Sequence, residues 1–232
     1  MDLLGDAFVE MFEFFLGRDS DVWSITGRTT VICLISTIIS SILGIFIGFF
    51  LALIPFRGRS TFVAFANAGM GMPPVVAGLV VAVLLWRTGP LGSLGLMYTP
   101  IGMVISQCVI AVPLVAAITI GSVMSLPPAM HLQIRSMGAN TVQTVLLLAY
   151  EVRLGLLIAV MAGFGAAISE VGAAMMVGGN LASETRVLTT ATVQLVGQGE
   201  FGKALGYGLM LLLLVLFVAI ALTSIQSKAR KR

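Results

Sequence analysis

Residues Thr29–Ile54 read TTVICLISTIISSILGIFIGFFLALI, twenty-six positions without a charge, framed by Arg28 and Arg57. Crossing the hydrocarbon core of a bilayer takes about 20 mainly apolar residues, and a helix apolar on every face belongs inside lipid rather than on the surface of a soluble domain. We read 28–54 as a transmembrane span, and the same pattern recurs at 73–88, 99–122, 153–176 and 204–226. The second of these is short; the periodic stretch Phe62 to Ala68 ahead of it predicts a tilted helix before Pro73 and Pro74. The whole chain agrees, since 58% of its 232 residues are hydrophobic and 10% are charged, where a soluble domain carries about a quarter. That excludes a soluble enzyme, a disordered chain and a nucleic-acid-binding domain, because a net charge of +3 without one continuous basic patch does not grip phosphate backbones. The expectation is an all-α integral membrane protein of about five core spans in contact with the lipid bilayer.

Basic residues in short loops mark the cytoplasmic side. Five alternating spans gather Arg57, Arg59, His131, Arg135, Arg153 and the basic tail 227–232 on that side. Asp2, Asp6, Glu10, Glu13, Asp19, Asp21, Glu184 and Glu200 then lie outside, with Arg28, Arg87 and Arg186 near the outer ends. Within 1–19, Leu4, Phe8, Met11, Phe12 and Phe15 recur at helical spacing opposite three acids, which predicts an amphipathic helix lying in the outer interface. The rival arrangement makes this segment a sixth span with the N-terminus inside.

The inventory of reactive groups is short. Two cysteines, Cys33 and Cys108, sit inside apolar runs, and His131 is the single histidine, so no metal cluster can be assembled from one chain. Gly178-Gly179 has neither a preceding strand nor a following Gly-Lys-Ser/Thr and is no phosphate-binding loop. The chain is read as non-catalytic, without a cofactor of its own. Glu170 is the one acid placed within a span, and an intramembrane carboxylate is a functional candidate by default. A proton or cation coupling site is one reading; the other is structural, with the carboxyl bonded to nearby backbone, a polar side chain or a basic partner, or protonated.

The gap between the third and fourth spans reads Leu126-Pro-Pro-Ala-Met-His-Leu-Gln-Ile-Arg-Ser-Met-Gly-Ala-Asn140. Pro127 and Pro128 suit the first turn of a helix and Gly138 suits its C-terminal cap. Between them Met130, Ile134 and Met137 form an apolar stripe at i, i+4 and i+7. Such a stripe either packs on its own transmembrane bundle or docks a partner.

This segment resembles the cytoplasmic coupling segment of ABC-importer permeases, whose usual form is Glu-Ala-Ala, three residues, then Gly. Here Leu132 takes the place of the glutamate, Gln133 and Ile134 that of the alanines, and Gly138 is kept. Over about 20–226 the runs Gly71-Met-Pro-Pro-Val-Val76, Gly89-Pro-Leu-Gly92, Ala162-Gly-Phe-Gly165, Ser169-Glu-Val-Gly172, Met175-Met-Val-Gly-Gly-Asn180 and Thr185-Arg-Val-Leu-Thr-Thr-Ala191 are similar to the tungstate permeases. Molybdate and sulfate permeases are similar more generally. The resemblance implies a type-1 importer permease domain over 20–226 working as a homodimer in the cell inner membrane. It also implies two cytoplasmic ATPase subunits that bind ATP and Mg, and an extracytoplasmic binding protein for tungstate, with molybdate as the alternative cargo.

On that resemblance Met130, Leu132, Ile134, Arg135, Met137 and Gly138 couple to the ATPase. Met70, Pro73, Pro74, Ser169, Asn180, Thr189 and Thr190 belong to the translocation path or its gate, with Met70 and Met72 otherwise filling an irregular core. Hydroxyl and amide donors suit a dianion in transit, because a buried bidentate Arg cluster would retain it. Arg28, Arg87 and Arg186 attract the anion, or dock the binding protein, or serve in structural pairs. A secondary anion carrier is the competing class; it would show related halves and several ionisable groups within the membrane.

Overall fold

The computed structural model describes residues 21–230, except for the side chains of His131 and 228–230, and before them Gly5, Val9, Met11, Phe12 and Leu16. The amphipathic ridge expected over 1–19 and the end of the basic tail lie outside the described residues. Ten α-helices follow in order: α1 Asp21–Leu53, α2 Arg59–Met70, α3 Pro74–Leu85, α4 Pro100–Met124, α5 Pro128–Ser136, α6 Thr141–Glu151, α7 Arg153–Ile168, α8 Gly172–Gly178, α9 Leu188–Gln198 and α10 Phe201–Arg230. Three of these are long and apolar enough to cross a membrane unaided, namely α1, α4 and α10. Two bent pairs, α2 with α3 at 108° and α6 with α7 at 75°, bring the number to five where each pair is one span.

The number of crossings follows from which residues touch. Ser36 Oγ meets Gln107 Oε1, while a side chain at Gly44 would run into Val115 and one at Gly48 into Thr119. In each pair the second number exceeds the first by 71, so α1 and α4 run parallel. Two parallel helices require one crossing between them, and the bent pair α2–α3 supplies it. Against α7 the relation inverts: Gly155 abuts Ser122 and Gly163 abuts Val115, so the partner's number falls as the other rises and the helices are antiparallel. Val22 and Ile25 pack with Tyr207 and Met210, and Cys33 with Leu214 and Val218, which makes α10 parallel to α1.

The core of this bundle is the seam between α1 and α4, where glycines let the two backbones approach. Three of its hydroxyls are satisfied within their own helices: Thr29, Thr37 and Thr119 donate to the carbonyls four residues back at 2.7, 2.7 and 2.8 Å. Cys33 is buried against α7 and α10 and Cys108 is half-buried, both as free thiols.

Two features differ from the reading of the sequence. The fourth span, read as 153–176, is helical from Arg153 only to Ile168, and α6 precedes it across a 75° bend. Helix α9, over residues rich in Thr, Gly and Gln, had no lipid-like hydropathy to announce it; it packs Leu188 and Ala191 on α1 and α10.

Candidate coupling helix and translocation path

Helix α5 is delimited on both sides by backbone chemistry. Pro127 stands at its N-cap with φ −58° and Pro128 opens its first turn, where the missing N–H costs nothing. Met137 N–H bonds to Gln133 O and Gly138 N–H to Arg135 O; Gly138 then takes φ +83°, a left-handed conformation that glycine enters without strain. Asn140 begins α6 at once. Its Oδ1 accepts from Gln143 N–H and Gln143 Oε1 accepts from Asn140 N–H, both at 2.9 Å. This reciprocal cap was visible in the sequence as Asn-x-x-Gln before an apolar run, a signal the coupling reading did not use. It welds α5 to the entrance of the fourth span.

The apolar stripe of α5 divides. Met130 and Ile134 pack on Phe49, Val123, Leu148 and Val152 of the bundle. Met137 is 86% exposed and Leu132 68% exposed, with Arg135 and Gly138 also at the surface. One ridge therefore holds the helix down while the other residues stand free. Arg59 fixes the neighbouring inner corner by donating to the carbonyls of Leu51 and Ala52, at 2.5 and 3.0 Å, which closes the C-terminus of α1.

The two helix breaks meet. A side chain at Gly78 of α3 would collide with Ala173 of α8, and one at Gly172 with Val75. Met72 packs with Ala77, Ile110, Ala166 and Ala173, whereas Met70, Pro73, Pro74 and Ser169 are exposed beside the two breaks. Glu170, 4% exposed, sits in the second break. Its Oε1 accepts the Ala173 N–H at 2.5 Å, and the N–H groups of Val171 and Gly172 also bond to it. The carboxylate thus satisfies the first turn of α8, where the helix dipole favours negative charge.

Of the remaining path candidates, Thr189 adjoins the second break, while Thr190 and Asn180 bond elsewhere. Thr189 Oγ donates to Glu170 O at 3.0 Å, and Thr190 Oγ exchanges bonds with the backbone of Val187; both are buried inside the protomer. Asn180, at φ +53°, donates to Gln194 Oε1 at 2.7 Å near the outer end. Nearby, Arg28 donates to the carbonyls of Arg186 and Ser183, each at 2.9 Å, and so belongs to the structure of the 181–186 loop. Among the described residues no group of three or more His, Cys, Asp or Glu side chains is placed to hold a metal ion.

No family model matches the chain. It is 36% identical over 200 residues to a probable anion ABC transporter permease of Haloferax volcanii, covering 84% of this chain and 86% of that one. It is 32% identical over 228 residues to a tungstate uptake system permease of Peptoclostridium acidaminophilum, covering 98% of this chain and all of the other. The chain belongs to the anion ABC-transporter permease family. In fold, it superposes on a chain of the methionine ABC transporter MetNI solved in inward-facing conformations, with TM-score 0.66, 17% identity, and coverage of 90% and 94%.

As a multi-pass permease the protein is then defined by two places: a short, firmly seated helix between α4 and α6, and paired helix breaks between α2–α3 and α7–α8. Sequence reasoning named residues in both. It missed Gly78, and it quoted Gly172 only within a run, without the contact it makes with Val75.

Proposed function

We propose that the chain is the membrane-spanning subunit of an ATP-driven tungstate importer of the cell inner membrane. Two copies flank the path, two ATPase subunits dock from the cytoplasm and supply ATP and Mg, and a binding protein delivers the anion from outside. The observation that carries this reading is the seating of α5: it is anchored by Met130 and Ile134 and presents Leu132 and Met137 outward. An ATPase cleft that receives Met137 and Leu132, with Arg135 and Gly138 at its edge, can push on α5, and the cap at Asn140 passes the push into α6 and α7.

The far end of α7 is the break at Glu170, which abuts α3 through Gly172 and Val75. ATP binding draws the two α5 helices together and turns the bundle from inward-open to outward-open; hydrolysis resets it. Met70, Pro73, Pro74 and Ser169 line the gate side of the breaks, Asn180 the outer approach, while Thr189, Thr190 and Glu170 brace the wall. Scattered hydroxyl and amide donors bind a dianion weakly enough to release it. Kinship with a tungstate uptake permease supports tungstate as cargo.

The test has two parts. Affinity-purified chain should bring down ATPase subunits and show uptake only with them; uphill oxyanion uptake by the chain alone would make it a secondary carrier. Calorimetric titration of the cognate binding protein should rank tungstate above molybdate and sulfate, and a preference for either of those reassigns the cargo without touching the machinery.

A further inference from the structure

Helix α1 ends at the inner face in a groove of about 520 Å³ whose floor is Phe46, Phe49, Phe50 and Leu53 and whose rim holds Arg135 of α5 and Thr141 of α6. The four apolar residues fall at i, i+3, i+4 and i+7, one face of the helix. That face does not stop at the groove: Ile38, Ile42, Phe46 and Phe50 are all exposed at four-residue steps. The line from Ile38 to Phe50 spans about 18 Å at 1.5 Å per residue, close to the depth of one leaflet, about 15 Å. Hydrocarbon is thus offered along the helix and a cation at its cytoplasmic end. Among the described residues Arg135 has no carboxylate partner.

We propose that this groove holds an anionic phospholipid of the cytoplasmic leaflet, its acyl chain along Phe46 and Phe50 and its phosphate on Arg135 and Thr141. Charge complementarity selects the occupant, because a basic rim between helices at the cytoplasmic surface favours an anionic headgroup. The lipid bridges α1, α5 and α6, so it wedges the coupling helix against the first span. This goes beyond the transport reading and takes from it only that this end of α1 faces the cytoplasm.

The probe is an equimolar mixture of phosphatidylglycerol and phosphatidylcholine added to the full chain in detergent, with retained lipid counted by native mass spectrometry. Transport is not involved, so failure here leaves the importer assignment standing. Phosphatidylglycerol should be retained about fivefold over phosphatidylcholine, the ratio that one basic residue near the surface confers. Arg135→Gln should bring the ratio near parity while Arg135→Lys keeps most of it, and Leu53→Trp, which fills the groove, should lower retention of both lipids. Equal retention by the unaltered chain, or an undiminished ratio in Arg135→Gln, overturns the proposal. So does efficient disulfide cross-linking of Phe46→Cys between two copies, which would put protein rather than lipid over the groove.

Discussion

The guanidinium of Arg28 donates a 2.9 Å hydrogen bond to the main-chain oxygen of Arg186, 158 positions away. Two cations at this end of the bundle are thereby joined through backbone, with Ser183 O as a second acceptor. The first span holds the loop that leads into α9. Hydrogen bonds from a charged donor contribute about 2 kcal/mol, so Arg28→Met should lower the unfolding free energy of the detergent-solubilised chain by roughly that amount. Arg28→Lys should recover only part, because an ammonium lacks the planar fork that reaches several carbonyls. Unchanged thermal unfolding in Arg28→Met would mean the clamp is idle.

The exposed and seated halves of α5 should respond differently to the same charge. Met137→Asp changes a side chain that touches little and should preserve yield and melting temperature while abolishing stimulated ATPase activity of the reconstituted complex. Ile134→Asp buries a carboxylate against Phe49 and Leu148 and should cost about 3 kcal/mol or more through an unpaired charge. Normal stimulated turnover in Met137→Asp removes the docking role assigned to that residue.

Two glycines separate contact from propensity. Gly78→Ala places a methyl group into Ala173, and overpacking of a closed interface costs about 1 to 3 kcal/mol; uptake should fall with stability as α3 is forced from α8. Gly121→Ala, in α4 with open space around it, should be neutral or stabilise by about 0.5 to 1 kcal/mol by restricting the unfolded chain. Differential scanning fluorimetry on the pair checks both signs, and equal shifts would contradict the α3–α8 contact.

Glu170 distinguishes bracing from proton coupling. Glu170→Gln keeps an oxygen for the Ala173 N–H and should retain most ATP-dependent uptake. Glu170→Leu orphans buried N–H groups at the start of α8, at about 1 to 3 kcal/mol each, and should lose most uptake and stability. Uptake assays with and without ATP, across pH, decide the matter: a Glu170→Gln permease that transports without hydrolysis, or acquires a pH dependence, refutes the bracing role.

Spans such as 28–54 and the Pro-Pro to Gly boundaries of α5 were legible because hydropathy, proline and glycine act locally. Pro73 and Pro74 likewise announced the bend between α2 and α3. Met130, Ile134 and Met137 looked equivalent along one stripe, yet the bundle takes the first two and leaves the third; helical spacing groups residues by face but does not say where a face ends against its neighbour. Thr189 and Thr190 read as path hydroxyls, and their bonds to Glu170 and Val187 lay outside what spacing could show. A hydroxyl has the same composition whether it meets solvent or a carbonyl.

The lipid-embedded class and the rigid start and stop of the coupling segment were decided by the order of residues alone, because burial in hydrocarbon and backbone dihedral preference are properties of short windows. The parallel pairing of α1 with α4, the meeting of the two helix breaks at Gly78 and Ala173, and the clamp from Arg28 to Arg186 were decided only when the chain closed on itself, because each depends on the distance between residues that no window contains.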